Sequence, residues 1–363
     1  MNFDYNEEQQ LLADSVRRFL QKDYEFEARK KIVAGGHSEK VWGALAEMGL
    51  TGIPFSPDYG GFGGGAVDLM SVMEAFGEAL VVEPYVATLM AARCVANAGS
   101  DAQKRAILPQ VVEGKLKMAF AFSERGARYD LAPGVKAKKA GGGWTLEGEK
   151  VVVLGAPSAG KLVVSAHAPA GPSLFLVEAG AVKLKPYATL DEMRAADVWL
   201  AGAAAELLGA EGQALPVVEE VIDFATALVC AEAVGAMKFS CDTTLEYLKT
   251  RKQFGVPIGT FQALQHRIVD MVVAYEQAKS MAFLACSQAD SGADARERMR
   301  AISAAKVKIA DNARLVSQEA VQLHGGMGMS EELKVSHSFR RLTMIAQQFG
   351  DADHHLERFA RCG

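Results

Sequence analysis

Three long amphipathic stretches, residues 216–249, 257–288 and 296–323, constrain the fold more than any other feature of the sequence. At about 1.5 Å per residue each is long enough to cross a domain, and each is too apolar to stand as an isolated hairpin in water. They must bury their faces on one another, so a helical bundle is expected from about residue 211 to the end. The beginning also reads as helices. Asn6 stands as an N-cap with Gln9 three residues on, and Leu11, Leu12, Val16, Phe19 and Leu20 mark one helical stripe. Ser38 opens a second helix carrying Val41, Trp42, Leu45 and Met48. Further helices are expected over residues 68–80, from Pro84 as a first-turn residue, and from Asp101 as a cap. Between them, Pro54, Pro57 and Tyr59-Gly60-Gly61-Phe62-Gly63-Gly64-Gly65 read as a flexible turn. No strand precedes that glycine run, so it is not a dinucleotide fingerprint.

Near Lys117 the pattern changes. Short apolar runs at 118–122, 144–146, 151–154, 162–165, 174–177 and 198–200 alternate with turn residues, and Gly141-Gly142-Gly143 reads as a turn between two of them. The middle is therefore a small β-domain ending near Leu208-Gly209. The fold class is α+β multidomain: a helical domain over 1–116, a β-domain over 117–210 and a helical bundle over 211–363. The 363 residues, 50% hydrophobic and 23% charged, suffice for such cores. A net charge of -5 argues against a nucleic-acid partner, whose phosphates call for a basic face. The start, Met1-Asn2-Phe3-Asp4-Tyr5, lacks the basic and apolar regions of a signal peptide. Acids at Glu219, Glu220 and Asp223 interrupt the most apolar region, so no membrane span is expected. Cys94, Cys230, Cys241, Cys286 and Cys362 include no CxxC pair, which argues against a disulfide framework or zinc site and fits a cytoplasmic protein.

Two segments of the C-terminal part carry the chemistry. In Thr250-Arg251-Lys252-Gln253-Phe254-Gly255-Val256-Pro257, followed by Phe261-Gln262, a break between two helices accounts for Gly255 and Pro257. It does not account for an arginine and a glutamine beside an aromatic, where a planar guanidinium at a helix end suits a diphosphate. In Gln322-Leu323-His324-Gly325-Gly326-Met327-Gly328-Met329 the glycines serve either as a C-cap or as a place of close backbone approach to a ligand. No Gly-Lys-Ser/Thr follows, which excludes a Walker-type loop.

Together these segments resemble the two signature regions of the acyl-CoA dehydrogenase family, and the helical, β, helical order agrees over essentially the whole chain. In finer detail, Pro54-Phe55, Gly60-Gly61-Phe62-Gly63-Gly64-Gly65 and Phe349-Gly350-Asp351-Ala352-Asp353-His354-His355 resemble the small subunits of pimeloyl-CoA dehydrogenases. The resemblance implies the acyl-CoA dehydrogenase fold, with an N-terminal α-helical domain, a middle β-barrel-like domain and a C-terminal four-helix bundle. It implies FAD as cofactor, an acyl-CoA substrate with a dicarboxylic or bulky chain, and electron-transfer flavoprotein as acceptor. FAD would lie at a subunit interface in a homo-oligomer or in a heterotetramer with a paralogous subunit. Arg251 matches the arginine that reaches the diphosphate of the neighbouring subunit's FAD, and Phe254 and Gln262 match further flavin positions. Gln322, Gly325 and Gly326 match the segment along the adenosine half, while Phe122 and Ser123 begin the loop at the flavin pyrimidine edge. Asp223 matches a position near the acyl thioester.

The departures are specific. Val152 and Leu154 stand where the family has a Trp-x-Thr, Arg125 replaces the loop proline, and Arg128-Tyr129-Asp130 replaces its Gly-Ser-Asp end. Phe349 occupies the place of the glutamate base, Ala225 its alternative seat on the first bundle helix, and Thr226 a nearby arginine. Removing the α-proton of a thioester needs a carboxylate within hydrogen-bond reach. Asp351 is the nearest in sequence, then Asp353, with Asp223 a third option; equally, Asp351 reads as a helix N-cap. Adjacent His354 and His355 point to different sides of a helix, so no metal is expected there. Three activities remain open: α,β-desaturation of an acyl-CoA, a non-catalytic or FAD-completing subunit of a heteromeric dehydrogenase, and a flavin oxidase or monooxygenase on the same fold.

Overall fold

The computed structural model describes residues 5–292 and 294–362; the reading of residues 1–4 at the chain start lies outside them. Helices α1 (Glu7–Asp23), α2 (Phe26–Gly35), α3 (Glu39–Glu47), α4 (Ala66–Ala79), α5 (Tyr85–Ala98) and α6 (Asp101–Val112) come first. Strands β1 (Met118–Ala121), β2 (Lys136–Ala140), β3 (Gly143–Leu154), β4 (Lys161–Ala168), β5 (Gly171–Glu178), β6 (Lys183–Ala188) and β7 (Arg194–Leu208) follow. The remainder is α7 (Ala214–Thr250), a hairpin of β8 (Lys252–Gln253) and β9 (Val256–Pro257), then α8 (Gln262–Asp290), α9 (Ala295–His324), α10 (Lys334–Gln347) and α11 (Ala352–Arg361). Contacts group the chain into two units. One holds the chain up to Lys30, Gly65–Val81 and the chain from Thr226; the other holds Lys31–Gly64 and Val82–Ala225.

In the first unit α1 is capped by Asn6 in a full capping box with Gln9, as expected, but its buried stripe is Ala13, Val16 and Leu20. Leu11, expected inside, is 65% exposed. α4 and α7 cross at reciprocal glycines: a Cβ on Gly77 would meet the Glu232 carbonyl at 1.9 Å, and one on Gly235 the Glu74 carbonyl at 1.8 Å. α10 is tied to α7 by a buried pair in which Arg341 Nε and Nη2 donate to Glu232 Oε1 and Oε2, both at 2.6 Å. Removing one partner of such a pair strands a buried charge and costs about 3–5 kcal/mol.

The second unit carries the strands. β4 pairs with β2 and β5, β2 with β3, β3 with β7, and β7 with β5, which closes a five-strand ring; β1 joins at β4 and β6 at β7. Its interior is filled by Leu146, Leu162, Val164, Phe175, Val177, Val198 and Leu200. Gly141 and Gly142 form the expected turn, both at positive φ, between Ala140 and Gly143 of a two-residue hairpin. β2 and β6 lack an apolar run and escaped the sequence reading, because most of their side chains face outward. Ser100, rather than Asp101, caps α6: its Oγ accepts the Gln103 N–H at 3.3 Å. The segment around Gly60–Gly65 is pinned rather than flexible. Phe62, Gly63 and Gly64 amides donate to the carbonyls of Gly52, Phe55 and Ile53, and a Cβ on Gly61 would meet the Phe55 carbonyl at 2.1 Å.

Candidate functional site

The stretch expected as one helix from Pro257 begins instead with a tight hairpin. Lys252 pairs with Pro257 and Gln253 with Val256, leaving Phe254 (φ 54°) and Gly255 (φ 82°) as a two-residue loop. Two positive φ values are what such a loop requires, and they throw the Phe254 ring outward, where it is 91% exposed. The hairpin is anchored at its base, where the Ile258 amide donates to the Arg251 carbonyl at 2.8 Å. Among the described residues the Arg251 guanidinium makes no hydrogen bond or ion pair.

The second signature segment lies beside it. The Tyr247 ring, one turn before Arg251, packs on the His324 ring at 4.4 Å between centroids, and Gly325 follows directly. Gly325 ends α9 at φ 61°, ψ -141°, and a Cβ on Gly325 or Gly326 would meet nothing within 4 Å. Gln262 starts α8 next to Phe261, whose ring stands edge-on to Phe254 at 6.1 Å. The structure thus brings Arg251, Phe254, Gln262, Gln322, Gly325 and Gly326 to one end of the bundle, with all six exposed to solvent.

Asp351 is elsewhere in the same unit. It is the N-cap of α11, and its Oδ1 accepts the His354 amide at 2.9 Å. The turn before it puts Phe349 at φ 62°, and the Gly350 carbonyl accepts from Lys306 of α9 at 3.1 Å. Lys306 lies 18 residues before His324, which is about 27 Å along the helix axis. Within one chain, then, the turn before Asp351 lies beside the middle of α9, while the Arg251 group lies at its C-terminal end.

His355 lies buried behind the turn, with Nε2 3.2 Å from the Phe349 carbonyl and Nδ1 3.2 Å from Ser303 Oγ. Burial first, then the charges of Lys306 and Arg358, push it from 6.5 down to about 2. The native state therefore refuses a proton that the unfolded chain accepts below about pH 6.5. Stability from this group is complete above that pH and is lost as pH falls toward about 2, with a slope of up to about 1.4 kcal/mol per pH unit. Thermal melts between roughly pH 6 and pH 4 should show this slope flattened in His355→Gln. An unaltered slope would contradict the assignment.

In the second unit, Phe122 and Ser123 leave β1 and begin a loop that is tied down from inside the ring. Lys150 Nζ, fully buried, donates to the Phe122 carbonyl (3.2 Å), Glu124 Oε1 (2.6 Å) and Ser165 Oγ (3.0 Å). Burial pulls the Lys150 amine down to about 8, against the Glu124 contact. Burial would raise the Glu124 carboxyl, but Lys150 and the Val135 and Gly134 amides outweigh it and hold it low. The Ser123 carbonyl accepts the Val151 amide at 2.9 Å, where β3 bulges and Val152 takes φ 53°. The Val152 amide then donates to Tyr187 Oη at 3.1 Å, and that hydroxyl donates to Asp197 at 2.9 Å. Arg125 extends the cluster, pairing with Glu149 at 3.2 Å. Asp223 lies fully buried on α7. Sequence reading missed Lys150, Tyr187 and Asp197; the one signal was a lysine directly before the run Val151-Val152-Val153.

Family models match both ends of the chain: the acyl-CoA dehydrogenase N-terminal domain over residues 6–115 and the C-terminal domain over residues 212–362. Acyl-CoA dehydrogenase FadE12 of Mycobacterium tuberculosis is 30% identical over 92% of this chain and 90% of its own length. The chain belongs to the acyl-CoA dehydrogenase family. Members of this family are FAD-dependent oxidoreductases that act on the CH–CH bond of acyl-CoA thioesters. Among solved structures, PigA with FAD and proline is 27% identical with a TM-score of 0.91, covering 99% of this chain and 98% of that one. A Tcur3481–Tcur3483 steroid ACAD variant is 30% identical with a TM-score of 0.89, covering 98% and 97%. The residues present suit the family's cofactor: an unpaired guanidinium for a diphosphate, and side-chain-free space at Gly325 and Gly326 for a flat group. No helix among the described residues is long and apolar enough to cross a membrane.

Proposed function

We propose that this chain oxidises an acyl-CoA thioester to its α,β-enoyl form, with FAD completed across a subunit interface. The observation that carries the reading is the exposed Arg251 hairpin, joined through the Tyr247–His324 ring contact to the segment that opens into Gly325 and Gly326, a half-site with an unpaired cation and an outward aromatic. FAD, when bound, supplies the acceptor for the β-hydride. The chain's own residues do the rest. Arg251 neutralises the diphosphate, Phe254 and Gln262 flank the flavin, and Gln322, Gly325 and Gly326 leave room for the adenosine half. Phe122 and Ser123 face the pyrimidine edge, in a loop whose Phe122 carbonyl is held by the buried Lys150. Asp351 takes the α-proton, and Asp223 stands near the thioester. The separation of Asp351 from the Arg251 group along α9 supports a flavin shared between two copies or two paralogues.

The division at 1–116, 117–210 and 211–363, a cytoplasmic location, electron-transfer flavoprotein as acceptor and a dicarboxylic or bulky acyl chain belong to the same proposal. A second reading is favoured by one observation. Asp351 is engaged as a helix cap and Phe349 fills the turn before it, which suits a subunit whose paralogous partner supplies the base.

Sedimentation of the chain with added FAD tests the shared site. A dimer or larger species should carry the flavin, alone or with a paralogous chain. A stable monomer holding a full complement of FAD would contradict the proposal.

A further inference from the structure

A buried lysine sits under the passage from α10 to α11. Lys306, on α9, has no exposed surface, and its Nζ donates to three main-chain carbonyls: Ile345 at 2.5 Å, Gln348 at 2.9 Å and Gly350 at 3.1 Å. An ammonium has three donors, so main chain fills all of them. The Ile345 carbonyl belongs to the last turn of α10, where the helix dipole favours a cation. The other two belong to the turn itself.

That turn is not one its own residues favour. Gly350 takes its φ of 126° freely, but Phe349 sits at φ 62°, and positive φ is disfavoured for a bulky side chain unless the surroundings impose it. The surroundings do impose it. Lys306 pulls on the carbonyls at either side of Phe349, His355 holds the Phe349 carbonyl between them, and Arg341 Nη1 reaches Gln348 Oε1 at 3.4 Å. A methionine would fill the same volume without the cost of burying an amine. It would leave three inward-facing carbonyls with no donor, so the lysine is tied to the turn rather than to core volume.

We propose that Lys306 is a positioning residue of the candidate site: its three carbonyl contacts set the turn 348–351 and so fix where Phe349 and Asp351 stand. This rests on the function proposed above, which alone gives the turn a part in the reaction. Its effect on the reaction runs through main chain, since its Nζ contacts are all carbonyls.

Hydrogen–deuterium exchange on the full chain with FAD tests it, comparing wild type, Lys306→Met and Asn312→Leu. Asn312 is a control on the same helix, buried, with Nδ2 donating to the Ala274 carbonyl of α8 at 2.8 Å and not to the turn. In Lys306→Met the amides of residues 350–355 should exchange at least about tenfold faster, with α8 unchanged. Acyl-CoA affinity, read from the shift of the flavin spectrum, should fall by at least about tenfold. Asn312→Leu should loosen α8 and α9 and spare both readouts. Should Lys306→Met not fold, Lys306→Gln, which keeps an amide donor, should give the same local rise in milder form. Unchanged exchange at the turn in a folded variant, or a rise no greater than in Asn312→Leu, would overturn the proposal. A local rise in a chain whose wild-type flavin never responds to acyl-CoA would uphold the hold on the turn and overturn the function it rests on.

Discussion

Asp351→Asn should leave fold and FAD content intact and slow anaerobic bleaching of the flavin by a competent acyl-CoA by about a hundred- to ten-thousandfold. The substitution separates two roles that coincide at this residue. As the N-cap of α11, Asp351 accepts the His354 amide at 2.9 Å, and an asparagine caps a helix about as well. As a base it must take a proton, which an amide cannot do. Loss of stability would therefore point to the cap, and loss of bleaching alone to the chemistry. Asp353, exposed in the first turn of the same helix, should tolerate Asp353→Asn with far less effect. Bleaching that survives Asp351→Asn but fails in Asp223→Asn would move the base to α7. Bleaching that appears only when a glutamate-bearing partner is added would make Asp351 a cap alone, and this chain the supporting subunit.

The fold was legible where side chains are sorted by burial. The long helices of the bundle, the cap at Asn6 with Gln9, and the Gly141-Gly142 hairpin all follow from local periodicity and turn chemistry. Strands β2 and β6 were not legible, because exposed strands carry no apolar run to mark them. The hairpin at Phe254 was read only as a break between helices, since four paired residues leave no periodic signal. The site divides in the same way. Arg251 and Gly325 are visible as residues out of place at helix ends. The buried lysines are not: Lys150 stands at the head of an apolar run and Lys306 between Ala305 and Val307, and only the folded chain shows that the carbonyls of Phe122 and Gly350 point at them. Nor does sequence show the pinning of Gly61 against the Phe55 carbonyl, a long-range steric fact.

The central claim is that the hairpin end of the bundle holds FAD, and the flavin content of Arg251→Ala tests it most directly. The Arg251 guanidinium has no partner among the described residues, and its main-chain bonds survive the substitution, so its removal costs the folded protein little. A charge-assisted contact to a diphosphate is worth about 1.5–3 kcal/mol, more than tenfold in affinity. Arg251→Lys should restore only part of that, because a point charge cannot reproduce the planar fork. Measured by absorbance on the purified oligomer against wild type, with melting checked in parallel, Arg251→Ala should be well folded and depleted of flavin. A well-folded Arg251→Ala protein that keeps the wild-type flavin content would contradict the account.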